Sequence, residues 1–133
     1  MKQFLLIIVL IAFVQFGCSQ NKILLSIKVT YVDCSIETVI SISCSLFDTQ
    51  FGQEKKYGEI KNSELKKAAA SLKKFVKINW NSIDVRGKIE FELAGQKYKY
   101  CFDEFGKFTD GVAFYENVQL FKLIKKTFPN FCT

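Results

Sequence analysis

Alternation is the most regular feature of the chain. From Ile23 to Tyr31 apolar side chains fall at Ile23, Leu25, Ile27, Val29 and Tyr31, with Ser26, Lys28 and Thr30 between them. Successive side chains on a strand point to opposite faces, so this run predicts a strand buried on one side. After Asp33-Cys34-Ser35 a second alternation sets Ile36, Ile40, Ile42, Cys44 and Leu46 against Glu37, Ser41, Ser43 and Ser45. Its β-branched content predicts a second strand, antiparallel to the first. The polar, glycine-containing stretch 48–61 reads as a loop.

Between Ser63 and Lys77 the period changes. Leu65, Ala68, Ala69, Leu72, Phe75 and Val76 fall on one helical face, and Lys66, Lys67, Lys73, Lys74 and Lys77 fall elsewhere or at the end. Asn62 or Ser63 is positioned to cap the first turn, Glu64 suits the positive end of the helix dipole, and lysines suit the negative end. The basic face reads as a solvated one. Val85–Leu93 alternates again, with Val85, Ile89, Phe91 and Leu93 inward. Ala94-Gly95-Gln96 turns the chain, and Tyr98, Tyr100 and Phe102 return opposite Lys97, Lys99 and Cys101. The expected hairpin places Glu and Lys across from one another. A further hairpin is predicted where 105–109 and 112–115 flank Asp110-Gly111, and a last helix runs from an Asn117 cap to Thr127, stopped by Pro129. The order predicts an α+β domain, an antiparallel sheet of about five to six strands with two helices packed on one face.

The N-terminus follows a different pattern. Met1-Lys2-Gln3 precedes an apolar run from Phe4 to Val14, with Gln15 before Phe16. That run is well short of the roughly 20 residues of a membrane-spanning helix and has the form of an export signal. Gly17-Cys18-Ser19-Gln20-Asn21-Lys22 resembles the processing site of bacterial lipoproteins, departing from it at Gln15, where an aliphatic residue is usual. The resemblance implies cleavage before Cys18, a lipid on its sulfur, and attachment to the membrane of a cell envelope. The other route is cleavage after Ser19 and free secretion. The expected organisation is a signal peptide over 1–17, a tether over 18–22 and one domain over 23–133.

Composition supports an extracytoplasmic setting. Apart from Cys18 the chain holds Cys34, Cys44, Cys101 and Cys132, an even set that reads as two disulfides in an exported protein. Residues 34 and 44 would lie about 33 Å apart on a strand or about 15 Å apart on a helix, against the roughly 4.4–6.8 Å a disulfide spans. Each must therefore bridge to Cys101 or Cys132. Of nineteen Lys and Arg only Lys2 lies in the first seventeen residues, so the remainder carries eighteen against thirteen acids, a net charge of +5. Arg86 is the sole arginine. Without an arginine cluster, and in that compartment, nucleic acid is not an expected partner; anionic lipid or polysaccharide is attracted weakly and in a salt-dependent way.

There is no histidine, which removes histidine-activated nucleophiles, histidine acid–base catalysis and nearly all catalytic zinc or iron sites. No Gly-x-x-x-x-Gly-Lys phosphate loop and no Cys-x-x-Cys pair occur. Asp103, Glu104 and Asp110 form the one candidate carboxylate group, but their spacing does not fit a calcium loop, and the same residues suit turns and caps. Asp84 and Arg86 read as a structural ion pair. No catalytic, cofactor or metal residues are assigned on this basis. Twenty aromatics are present. Trp80, Phe105, Phe108, Phe114 and Tyr115 are hard to bury all at once and constitute a candidate surface for a protein or glycan. The run from Asp84-Val85-Arg86 through Tyr100-Cys101-Phe102-Asp103 to Asp110-Gly111 resembles small exported bacterial proteins rich in Lys and Phe, a resemblance that implies no activity and no site residues. The leading expectation is a non-catalytic binding module; a carboxylate hydrolase and a small secreted inhibitor or immunity-like protein are the alternatives.

Overall fold

The computed structural model describes residues 24–61 and 63–132. The signal over 1–17, Cys18, the tether, Ile23 and an Asn62 cap lie outside these residues. In chain order the elements are β1 (Leu24–Tyr31), α1 (Cys44–Phe47), β2 (Lys56–Ile60), α2 (Ser63–Ser71), β3 (Val76–Ile78), β4 (Gly87–Leu93), β5 (Gln96–Phe102), β6 (Lys107–Thr109), β7 (Phe114–Glu116) and α3 (Val118–Thr127). Single 3₁₀ turns cover Gly52–Glu54 and Leu72–Lys74. Every strand pairing is antiparallel, in the order β2-β1-β4-β5-β6-β7-β3. The class is α+β as expected, but among the described residues the sheet has seven strands, more than the five to six expected.

Local sequence explains the centre of the sheet. Ala94 and Gly95 both take positive φ, 54° and 77°, the backbone of a two-residue turn whose twist matches the flanking strands. The register that follows sets Glu90 against Lys99 and Glu92 against Lys97. It also sends Ile89, Phe91 and Phe102 to one face, where they join Ile27, Val29 and Tyr31 of β1, Ile60 of β2 and Phe108 of β6. Ala68 of α2, Leu120, Leu123 and Ile124 of α3, and Phe128 and Phe131 beyond it close the same core. Asn117 caps α3 by accepting from Leu120 N–H at 3.0 Å, and its amide donates to Ser71 O at 2.7 Å, tying α3 to the end of α2.

The opposite face is closed at one end by the segment between β1 and β2. Val32, Ile42, Phe47, Ile83, Val85 and Cys101 form a smaller buried cluster there. The strand expected over 36–46 is instead an irregular crossing followed by the short helix α1, which Ser43 caps by accepting from Leu46 N–H. Its backbone is captured by side chains: Arg86 donates to Ile36 O at 2.7 Å, and Asp84 accepts from Ile42 N–H at 2.7 Å. Arg86 also holds Asp84 at 2.5 Å, so the expected ion pair exists and anchors a loop. The partners of β1 are β2 and β4, and β2 lies inside the stretch expected to be loop. Gly58 of β2 leaves room for the Phe128 ring, since a Cβ there would meet Phe128 Cε1 at 2.1 Å. The helix expected to reach Lys77 ends at Ser71, and Val76–Ile78 pairs with β7.

Candidate functional site

The cysteines pair as Cys34–Cys132 and Cys44–Cys101, with Cα–Cα separations of 4.7 and 5.6 Å. Cys34 does not pair with Cys44. The first bond ties the end of β1 to the tail after α3. The second fastens α1 onto β5, with Cys101 fully buried. Cys34, Cys132 and Glu104 bring donor atoms within 4.8 Å of one another. Both sulfurs are committed to the disulfide, which leaves Glu104 as the one ionisable donor of the three.

Each of the three candidate acids has its own setting. Asp103 is buried at the β5–β6 turn, and its Oδ1 accepts from the backbone N–H of Phe105 at 3.0 Å and of Lys107 at 2.8 Å. Burial raises its pKa against the lowering effect of those hydrogen bonds. Asp110, at the β6–β7 turn, accepts from Val112 and Ala113 N–H and from the Tyr115 hydroxyl, all at 2.9 Å. Partial burial opposes ionisation there, but the donors outweigh it and the pKa is lowered. Glu104 is exposed. Asp103 and Asp110 therefore sit at opposite ends of the three-residue strand β6, each organising a turn.

The aromatic candidates separate. Phe108 is fully buried, with its ring edge-on to Phe75 and Phe121, because β6 directs it toward the helices. It belongs to the core and is removed from the candidate surface. Phe114 and Tyr115 are half-buried; Tyr115 packs edge-on to Phe75 and Tyr100. Trp80 and Phe105 are exposed, 50% and 77%. Lys107 Nζ lies 5.1 Å from the centre of the Trp80 ring, a cation–π arrangement, and also pairs with Glu116.

On the open sheet face β2, β1, β4 and β5 carry a row of alternating charge, Glu59, Lys28, Glu90 and Lys99, each opposite the next in register. Asp48, just after α1, accepts from Lys88 at 2.6 Å and Lys99 at 2.9 Å, and these hydrogen bonds lower its pKa. A cleft of about 450 Å³ opens between β2 and the segment after α1, lined by Lys28, Thr30, Asp48, Lys55, Tyr57 and Glu59 among others. No periodicity marks Asp48 or Tyr57, so neither stands out in the sequence.

The other side of the molecule has a different charge plan. On α2 and the turn after it the exposed positions include Lys66, Lys67, Ala70, Lys73 and Lys74; on α3 they are Val118, Gln119, Lys122, Lys125 and Lys126. Both sets follow the same i, i+1, i+4, i+7, i+8 spacing, which is one helix face pointing away from the sheet. Between residues 63 and 78 and between 117 and 132 there are eight lysines and one acid, Glu64. Glu64 lies 3.5 Å from Lys67 and 3.9 Å from Lys126, joining the two helices. No protein-family model, no curated protein and no solved structure matches this chain.

Proposed function

We propose that the chain is an exported domain, held at a membrane by a lipid on Cys18, that works by binding through its surface and not by catalysis. The observation that carries this reading is the pair of disulfides, which join segments 98 and 57 residues apart. Bonds of that kind persist in oxidising compartments and are rare in the cytosol. All four cysteines of residues 24–132 are used, which leaves Cys18 as the odd one, the count expected if its sulfur carries a lipid. The turn roles of Asp103 and Asp110 support binding over carboxylate catalysis, because Oδ1 of each holds two backbone N–H groups and the two acids sit at opposite ends of β6 instead of facing one another. The exposed Trp80 and Phe105 and the charged cleft beside β2 are the surfaces such a module offers a protein or glycan.

Metabolic labelling with a fatty acid in the producing cell tests the anchor. The wild-type protein is expected to take the label and to sediment with membranes, while Cys18→Ala is expected to lose both. Unlabelled wild-type protein in the cytoplasm, with its cysteines reactive as free thiols, would overturn the reading.

A further inference from the structure

The lysines of α2 and α3 are unlike those of the sheet in having almost no counter-charge. Both helices lie in one layer on the sheet, and both turn the same spacing of exposed positions outward. The positions interleaved with the lysines are Ala70, Val118 and Gln119, uncharged and shorter than lysine, so the charged ends form the outermost surface of a broad face. The sole arginine is buried elsewhere, on Asp84 and Ile36. A lysine ammonium is a compact, hydrated point charge on a flexible stem, without the planar fork that grips a single phosphate. A spread of such charges suits a lattice of anionic headgroups better than one defined anion. Trp80, an exposed aromatic that could stack nucleic-acid bases, lies against Lys107, which alternates on β6 with the helix-facing Phe108 and so belongs to the other side of the sheet. Val118 is its one large apolar residue exposed beyond half, so the contact is electrostatic and peripheral, without deep insertion.

We propose that this lysine face docks on an anionic lipid bilayer, laying the helix layer against the headgroups and turning the alternating-charge sheet face and its cleft outward. The proposal deepens the membrane-anchored reading and rests on it: a lipid at Cys18 would hold the domain at the surface, and the lysines would set which side faces the membrane. Each lysine brought near an anionic leaflet is worth about fivefold in partition, an effect that fades as salt shortens the screening length.

The test measures co-sedimentation of the protein, as recovered from the producing cell, with vesicles of phosphatidylcholine alone and of phosphatidylcholine mixed with phosphatidylglycerol, at low and high salt. The quantity read is the ratio of the two partitions, which cancels any contribution of an N-terminal lipid. The expected result is a ratio well above one at low salt, falling toward one at high salt. It should drop by about a hundredfold or more when Lys73, Lys122 and Lys125 are all changed to Glu. The same three-charge change at Lys28, Lys55 and Lys97 on the sheet side should leave most of the ratio. If a reversed variant does not fold, the corresponding Lys→Gln triples give the same ordering with smaller drops. Equal loss from both triples, or a ratio near one in the wild type, would overturn the proposal, as would tighter binding to heparin than to anionic vesicles. Wild-type protein that ignores neutral vesicles yet binds anionic ones through the helix lysines would support the docking face while removing the lipid anchor.

Discussion

Along 63–78 and 117–132, the two helices and their flanks, eight lysines stand against one acid, whereas on the open sheet face Lys28, Lys88, Lys97 and Lys99 each face a carboxylate across a strand or at the 48–55 segment. The difference extends inward. Beneath the helices lies the larger cluster, closed by Phe102, Phe108, Leu120, Ile124 and Phe131 and relying on buried apolar area. The open side has a smaller cluster, held by the Cys44–Cys101 bond, the Arg86 tether and the Asp48 bridge. On the helix side the surface charge is joined by few ion pairs, Glu64 with Lys67 and Lys126. The open side spends its charge on its own structure.

Removing a ring from the helix-side core should have the largest effect. Phe108→Ala is expected to cost about 3–5 kcal/mol in denaturant unfolding, because the cavity lies among Phe75, Phe102 and Phe121. A cost below about 1 kcal/mol would mean that this core is not the main source of stability. Next comes the open side: replacing both Cys44 and Cys101 with Ala should cost roughly 2–4 kcal/mol, given the loop the bond closes. Under mild reduction the half-buried Cys34–Cys132 bond should open before the bond to fully buried Cys101, which mass spectrometry after alkylation would read directly.

Asp103→Asn sharpens the contrast between a committed and a free carboxylate. Both backbone donors go to the single atom Oδ1, which an asparagine oxygen reproduces while removing a buried charge. The substitution should leave stability at neutral pH unchanged or raised. The folded pKa of Asp103 is raised, so the folded state takes up the proton before the unfolded state does. Wild-type stability should therefore gain on the variant as pH falls through the folded pKa. A wild-type lead that is greatest at neutral pH would contradict the assignment. The smallest effect is expected for Asp48→Asn, under about 1 kcal/mol, because its pairs with Lys88 and Lys99 are partly solvated. Asp48 has a lowered pKa, so its contribution is present above the unfolded value and is lost as pH falls through the folded one.

What the sequence showed clearly was whatever local chemistry determines. The β4–β5 hairpin follows from alternation and from Ala94-Gly95, and α3 follows from the Asn117 cap and Pro129. Chain geometry alone was enough to separate Cys34 from Cys44. Edge elements were hidden. In β2 only Ile60 is buried, Gly58 contributes space in place of a side chain, and Tyr57 is 74% exposed, so no period of two appears. In β3 three residues fit a helical and a strand period equally, and tertiary pairing with β7 decides between them. The alternation over 36–46 misled because Ile42 is buried and Ile40 exposed by a crossing loop tied to Asp84, Arg86 and Cys101, long-range partners that no local pattern announces. The lysine face was visible as composition on each helix, but its continuity across α2 and α3 depends on their sharing one layer.

The proposed export of a disulfide-stapled domain is tested most directly by the intact mass of the protein from its producing cell. The expected mass is that of a chain starting at Cys18 with lipid attached, rising on reduction by two hydrogens for each of two disulfides. A chain starting at Met1 whose mass does not change on reduction would contradict it.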